Sequence, residues 1–296
     1  MKILLTGATG YIGAALAEEL LRVRHSVTGL ARSPESAARL EKNGIEALRG
    51  DIAEPEPLRP AFRAADAVIH TASTNDARMS QVDPALAAII LDELSGSDKA
   101  FIYTSGIWTL GDTGDAVAHE NTPVNPPPIV AWRTAAEKTV VDGSSRGVRT
   151  IMIRPGIVYG RAGGIPAMLV QSARERGEVV FVGTGENRWP VVHVDDLARL
   201  YRAAVESGPA GAILHGVAEP ALRVREVALA AAEGAGIPGK IAPLPVEEAR
   251  KTMGPFADAL TLDQQVSSIR TMQMVPWRPE AAGLIDDLRS GSYVKR

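Results

Sequence analysis

Short apolar runs alternate with longer amphipathic stretches over the first two-thirds of the chain. The runs fall at residues 2–5, 26–31, 46–49, 67–71, 100–104 and 149–153. Most are apolar through their middle rather than strictly alternating, as strands covered on both faces require. Between the first two, Ile12, Leu16, Leu20 and Val23 recur at helical spacing. Further helices are predicted over 34–42, 84–95 and 132–144, with Gly44, Gly96 and Gly147 where they would stop. This alternation predicts an α/β fold with a doubly wound parallel sheet. Beyond Arg154 the rhythm changes: a helix over 165–176, a strand over 179–182, a loop over 183–190, and a helix over 194–206 capped by Asp195. A helix-rich tail follows, punctuated by Pro243, Pro245, Pro276 and Pro279. The predicted organisation is a main layer of residues 1–155 and about 191–217, with a smaller C-terminal lobe of about 156–190 and 218–296.

Composition narrows the class. At 45% hydrophobic and 23% charged over 296 residues, a sizeable core can form and wholesale disorder is excluded. Thirty-two basic against 35 acidic residues lacks the basic excess of a dedicated nucleic-acid binder. No apolar run approaches the roughly 20 residues that cross a bilayer. The absence of cysteine removes disulfides, thiolate metal sites and thiol nucleophiles, and no metal is expected. Met1-Lys2 leads straight into a strand, so no cleavable leader and a cytoplasmic location are expected.

Thr6-Gly7-Ala8-Thr9-Gly10-Tyr11-Ile12-Gly13 follows a strand and opens a helix. Gly7 suits a tight turn, Gly10 lets backbone approach a pyrophosphate, and Gly13 lets helix pack on strand. Free N–H groups at the helix N-terminus would hold the anion. The pattern points to a dinucleotide site on a Rossmann-type sheet, the alternative being an ordinary glycine-rich turn. About 20 residues on, where an NAD site places an acid, the second strand ends in Arg32-Ser33. Both offer donors to a 2′-phosphate, which points to NADP(H) unless Arg32 is merely a solvated surface residue. Asp51, beside Ile52 at the end of the third strand, is placed to meet the adenine.

With that loop, the Arg-Pro-Gly-x-Val-Tyr-Gly segment at 154–160 and the His-Val-Asp-Asp segment at 193–196, the chain resembles the extended short-chain dehydrogenase/reductase superfamily over essentially its whole length. The segments at 103–108 and 187–193 are similar to those of an atypical subgroup, often labelled epimerase-like or 3β-hydroxysteroid-dehydrogenase-like. The resemblance implies cofactor contacts from Gly7, Thr9, Gly10, Tyr11, Ile12, Gly13, Arg32, Ser33, Asp51 and Ile52. It adds Thr71, Ala72, Ser73, Arg133, Pro155, Gly156 and Val158. It also implies a catalytic Ser/Thr and a Tyr-x-x-x-Lys pair, and here the chain departs. Anchored on Ala136-Glu137, the lysine becomes Arg133 and the tyrosine becomes Ile129; the usual serine becomes Gly106, beside Thr104 and Ser105.

An arginine keeps its charge at any working pH, so Arg133 is a poor acid but a suitable clamp for a developing alkoxide or enolate. If helical, Ile129, Arg133 and Glu137 share one face, so that Glu137 would orient Arg133, the alternative being an exposed ion pair on the helix. Catalytic candidates are Thr104, Ser105, Arg133 and Tyr159, with Tyr103, His119 and His193 as further titratable groups. Trp108, Trp132 and Trp189 suggest a partly apolar substrate pocket, with Arg188 as an anion contact. Three functions remain open: an NADP(H)-dependent reductase of a small carbonyl, enone or imine, a redox-inactive NADP(H)-binding sensor, and an epimerase or lyase. Partners are a small-molecule substrate, with neither nucleic acid nor membrane, and the resemblance allows a homodimer.

Overall fold

The computed structural model of the chain describes residues 1–74 and 76–294. Its first strands are β1 (Lys2–Thr6), β2 (Ser26–Ala31), β3 (Glu46–Arg49), β4 (Ala67–His70), β5 (Ala100–Thr104) and β6 (Arg149–Pro155). The later ones are β7 (Ile157–Tyr159), β8 (Val179–Val182), β9 (Arg188–His193), β10 (Ala212–Gly216), β11 (Glu219–Arg223) and β12 (Ile241–Leu244). The helices that shape the site are α1 (Tyr11–Arg22), α2 (Pro34–Lys42), α3 (Arg59–Ala64), α4 (Met79–Leu94), α5 (Arg133–Asp142), α6 (Pro166–Arg176) and α7 (Val194–Ser207).

A seven-stranded sheet runs β10-β6-β5-β4-β1-β2-β3, parallel throughout. The continuous apolar runs are explained by its two covered faces, because successive side chains enter different cores. Ile3, Leu5, Ile69 and Ile102 pack under α1 and α7 with Leu16, Leu20, Leu197 and Leu200. Leu4, Val68, Phe101 and Met152 pack under α3, α4 and α5 with Phe62, Leu86, Ile90 and Val140. Chain order reverses between β1 and β4, which opens a crevice at the carboxyl ends of the strands, the usual ligand position in such sheets. The chain therefore has the Rossmann-type α/β fold. A third core beside it gathers Leu169, Phe181, Trp189, Val191, Val227 and Leu288 around the small sheets β11-β9-β7 and β12-β8.

Three local expectations need correction. The fourth helix begins at Met79, not at residue 84, and carries Pro84 inside it. Proline favours a helix's first turn, but here an apolar stripe from Met79 through Leu86, Ile90 and Leu94 extends the packing earlier. The stretch 183–190 is not all loop, since β9 starts at Arg188 and includes Pro190. Proline is tolerated there because the β11 pairing breaks register between Glu219, opposite Val191, and Leu222, opposite Trp189. Finally, α7 is capped by His193, whose Nδ1 accepts from the Asp195 N–H at 3.1 Å. Asp195 lies in the first turn instead.

Candidate active site

The turn between β1 and α1 has three glycines with different reasons to be there. Gly7 has φ of 78°, and a Cβ on it would stand 2.7 Å from the Ala72 nitrogen. A Cβ on Gly13 would lie 2.0 Å from the Gly7 carbonyl oxygen. Both are demanded by packing. Gly10 is constrained less: a Cβ there would meet only that same carbonyl, at a crowded 3.1 Å. Gly10 is also the N-cap of α1 and supplies no side-chain cap, so the first helical N–H groups face the crevice uncapped. A bare position with one close internal neighbour, at an uncapped helix start, fits a closely approaching pyrophosphate.

Cavities open on both sides of this turn. The smaller, about 150 Å³, is walled by Gly7, Thr9, Arg32, Asp51, Ile52, Ala72 and Ser73. Among the described residues nothing pairs with the exposed Arg32 guanidinium. Arg49 donates to the Arg32 carbonyl at 3.2 Å, so two arginines meet at the ends of β2 and β3. Ser33 stands outside this wall. It caps α2, its Oγ accepting from the Ser36 N–H and donating to the Ser36 hydroxyl, both at 3.2 Å. Ser36 lines the cavity in its place. Thr71 also turns away, its hydroxyl donating to the Thr6 carbonyl at 2.8 Å.

The larger cavity, about 300 Å³, brings together Tyr11, Ile12, Thr104, Ser105, Trp108, Arg133, Pro155, Gly156 and Val158. Arg133 opens α5, lies 4.5 Å over the Trp132 ring, and donates to the Thr104 carbonyl at 3.2 Å. Trp132 therefore holds the guanidinium through a cation–π contact and is not part of the cavity wall. The Thr104 hydroxyl is engaged by buried Tyr201 at 2.7 Å. Ser105 donates its proton to Glu137 Oε1 at 2.5 Å. Glu137 is itself gripped by Arg154, with Nε at 3.0 Å from Oε1 and Nη2 at 2.6 Å from Oε2, both residues buried. Glu137 does not orient Arg133, as expected from the helix face; it serves Ser105 and Arg154. Its side chain turns toward β6, where Arg154 stands 17 residues later in the chain.

Several candidates lie elsewhere. Tyr159 is buried, donates to the Ala282 carbonyl at 2.7 Å, and its acidity is weakened first by burial; it does not border the cavity. Trp189 is buried in the lobe with Nε1 on the Leu260 carbonyl at 3.0 Å. Arg188 is bound bidentately to Asp263, at 2.8 and 2.6 Å, so its guanidinium is already neutralised. Tyr103 is sealed under α4 and donates to Asp83. His119 is exposed and accepts from the Asn121 N–H at 3.2 Å. Ile129 lies in a short turn whose next residue, Val130, borders the cavity instead. Tyr11 does border it, but its hydroxyl donates to the Gly160 carbonyl at 2.8 Å, and burial pushes its pKa well up.

Sequence reasoning missed a buried network below the glycine turn. Thr6 Oγ1 lies 2.7 Å from His70 Nδ1, and Asp83 accepts from His70 Nε2 at 2.7 Å and from Tyr103. Its signal was present: Asp83 interrupts the apolar stripe of α4, and a lone acid on a buried stripe needs partners.

Comparisons with known proteins show the family and the fold. A model of the NAD dependent epimerase/dehydratase family matches residues 3–215. An uncharacterized protein of Schizosaccharomyces pombe is 34% identical, covering 99% of this chain and all of that one. A 2-alkyl-3-oxoalkanoate reductase of Stenotrophomonas maltophilia is 30% identical, covering 74% of this chain and 69% of that one. The fold is matched by a dTDP-glucose 4,6-dehydratase from Streptomyces venezuelae solved with NAD, at a TM-score of 0.82 and 20% identity, covering 99% of this chain and 96% of that one. The chain belongs to the NAD dependent epimerase/dehydratase family, within the extended short-chain dehydrogenase/reductase superfamily of NAD(P)-dependent enzymes.

Proposed function

We propose that the protein is an NADP(H)-dependent oxidoreductase that reduces a small, partly apolar carbonyl compound, or an enone or imine, without the family's tyrosine. One observation carries this reading. The cavity beside the glycine turn presents a fixed guanidinium, Arg133, next to a hydroxyl, Ser105, whose proton is held by a buried carboxylate. That is a charge clamp and a proton route in one place.

The uncapped start of α1 would hold the pyrophosphate, and Arg32 with Ser36 and Asp51 would hold the adenosine end, Arg32 facing a 2′-phosphate. A nicotinamide cofactor held there would supply the hydride chemistry at the acceptor carbon. Arg133 stabilises negative charge on the substrate oxygen, and Trp132 keeps its plane fixed. Because the Ser105 proton points at Glu137, Ser105 Oγ meets the substrate as an acceptor. In the oxidative direction the substrate O–H gives its proton to Ser105 Oγ while Ser105 gives its own to Glu137 Oε1. Reduction runs the same exchange backwards, from a protonated Glu137 through Ser105 to the substrate oxygen. Arg154 keeps both Glu137 oxygens in place for this exchange.

The test is NADPH oxidation, followed by loss of nicotinamide absorbance, across panels of ketones, enones and imines. Arg133→Met should lower kcat/KM by about 10²–10³-fold, with NADPH still bound. Tight NADPH binding without turnover on any panel would sink this reading in favour of a sensor.

A further inference from the structure

A cavity of about 280 Å³ lies in the lobe between α6, β8 and the helix Val246–Met253. It shares one wall residue, Ile165, with the cavity that holds Ser105 and Arg133, so the two are neighbours across a single side chain. Its deep wall is carbon: Leu169, Phe181, Val182, Trp189 and Leu260 are all buried. The polar groups on its buried side are already satisfied within the protein, whereas Gln171, Glu175 and Arg176 stand exposed at its edge. Trp189 Nε1 donates to the Leu260 carbonyl, and Ser172 Oγ donates to the Leu169 carbonyl at 2.7 Å while accepting from the Val180 N–H at 2.9 Å. A polar ligand finds no partner on this floor. An apolar cavity of this size favours an apolar occupant over water. Two methionines, Met168 and Met253, border it, and Met168 is 40% exposed, an unusual position for a large apolar side chain. Their unbranched side chains can repack around a variable hydrocarbon.

An aliphatic occupant finds no polar handle on that buried wall, so its position there is set by a head group beyond it. The neighbouring cavity supplies one. We infer that the chamber behind Ile165 receives the aliphatic tail of the substrate whose carbonyl lies against Arg133 and Ser105. This rests on the carbonyl-reductase reading for the head group and specifies the substrate class: an oxo compound carrying a hydrocarbon chain of several carbons.

The probe is a homologous series of methyl ketones from 2-butanone to 2-undecanone, with binding to the full chain plus NADP⁺ measured by calorimetry. Affinity should rise with length, by as much as about fourfold per methylene when fully buried, and level off once the chamber is full. Met253→Trp, which fills the chamber, and Met168→Gln, which replaces an apolar side chain of its rim with a polar one, should each flatten that rise, the first by at least about tenfold for the longest ketone. Met168 is outside the core, so its variant folds even where the tryptophan does not. Affinity independent of length, or a rise that both variants leave intact, overturns the assignment. NADPH oxidation is followed in parallel. Ketones that bind with the expected length dependence yet never oxidise NADPH would uphold the tail chamber and sink the reductase reading instead.

Discussion

Two buried carboxylates sit on adjacent helices of the same face, and their surroundings differ in one respect that decides what each can do. Asp83, on α4, accepts from His70 and Tyr103, and His70 continues to Thr6. All four are within 1% of complete burial, so the chain of hydrogen bonds ends inside the protein. Burial, and then the Asp83 charge, raise the Tyr103 pKa well above its ordinary value, which keeps it a proton donor to that carboxylate. Glu137, on α5, is equally buried but accepts from Arg154 and from Ser105, and Ser105 borders the large cavity. The first network ties α4 to Thr6, immediately before the glycine turn; the second reaches substrate. A buried acid becomes chemical equipment when its last hydrogen-bonding partner opens to a ligand.

The largest expected effect tests the electrostatics of that second site. Arg154→Met would leave Glu137 buried without its counter-charge, which should cost about 3–5 kcal/mol of stability in denaturant titrations. Adding Glu137→Gln to it should recover part of the loss, because the uncompensated charge is gone. No loss from the single variant would mean that water already solvates Glu137. Next comes the contrast itself. Glu137→Gln should lower kcat by about 10²–10³-fold through loss of the proton acceptor. Asp83→Asn should instead cost about 1–3 kcal/mol of stability and leave kcat per folded molecule nearly unchanged. Equal falls in kcat from the two variants would erase the distinction.

Legibility in the sequence followed the range of the interactions. The nucleotide layer was readable because its signals are local: apolar runs through β1, β4 and β5, and the glycine turn between β1 and α1. The gathering of Arg32, Asp51 and Ile52 around the smaller cavity is legible for the same reason, each standing at a strand end. Ser33 departs from expectation because a serine before Pro34 is also an ideal helix cap, and the cap takes its hydroxyl. In the larger cavity the sequence shows the components but not their wiring. Helix spacing pairs Glu137 with Arg133, whereas the fold turns Glu137 toward Arg154 on a strand whose covering helix no local pattern identifies. Pro190 concealed β9, since the register break that accommodates it belongs to β11. Tyr159 and Trp189 were placed by their motifs, and both belong to the lobe's packing.

A smaller effect separates the two ends of the crevice. Arg32→Asp should weaken NADP(H) by about 100-fold while changing NAD(H) little, because a carboxylate repels the 2′-phosphate that the guanidinium would bind. Calorimetry with both cofactors measures the ratio. Equal weakening of the two would remove Arg32 as the phosphate reader and leave the Glu137 site untouched.

The smallest effect lies in the pH dependence of the Glu137 side of the molecule. His215 on β10 stands opposite Arg154 in the strand register and is fully buried. Burial, reinforced by the Arg154 charge and opposed by Glu120, pushes its pKa down to about 4. An unfolded histidine titrates near about 6.5, so between those values the unfolded chain binds a proton that the folded one refuses. Stability from this residue is therefore complete above about pH 6.5 and drains away as pH falls toward 4, by at most about 1.4 kcal/mol per pH unit. Carboxylates add their own acid sensitivity, so the informative quantity is the difference between wild type and His215→Gln in denaturant titrations from pH 7.5 to 4.5. Wild type should lose stability faster than the variant across that window, with the curves converging in slope above pH 7. Parallel curves throughout would mean that His215 takes up its proton over the same pH range in the folded chain as in the unfolded one, and so is charged when folded below about pH 6.5. The charge beside Arg154 would then be one greater than the Ser105–Glu137 proton route assumes.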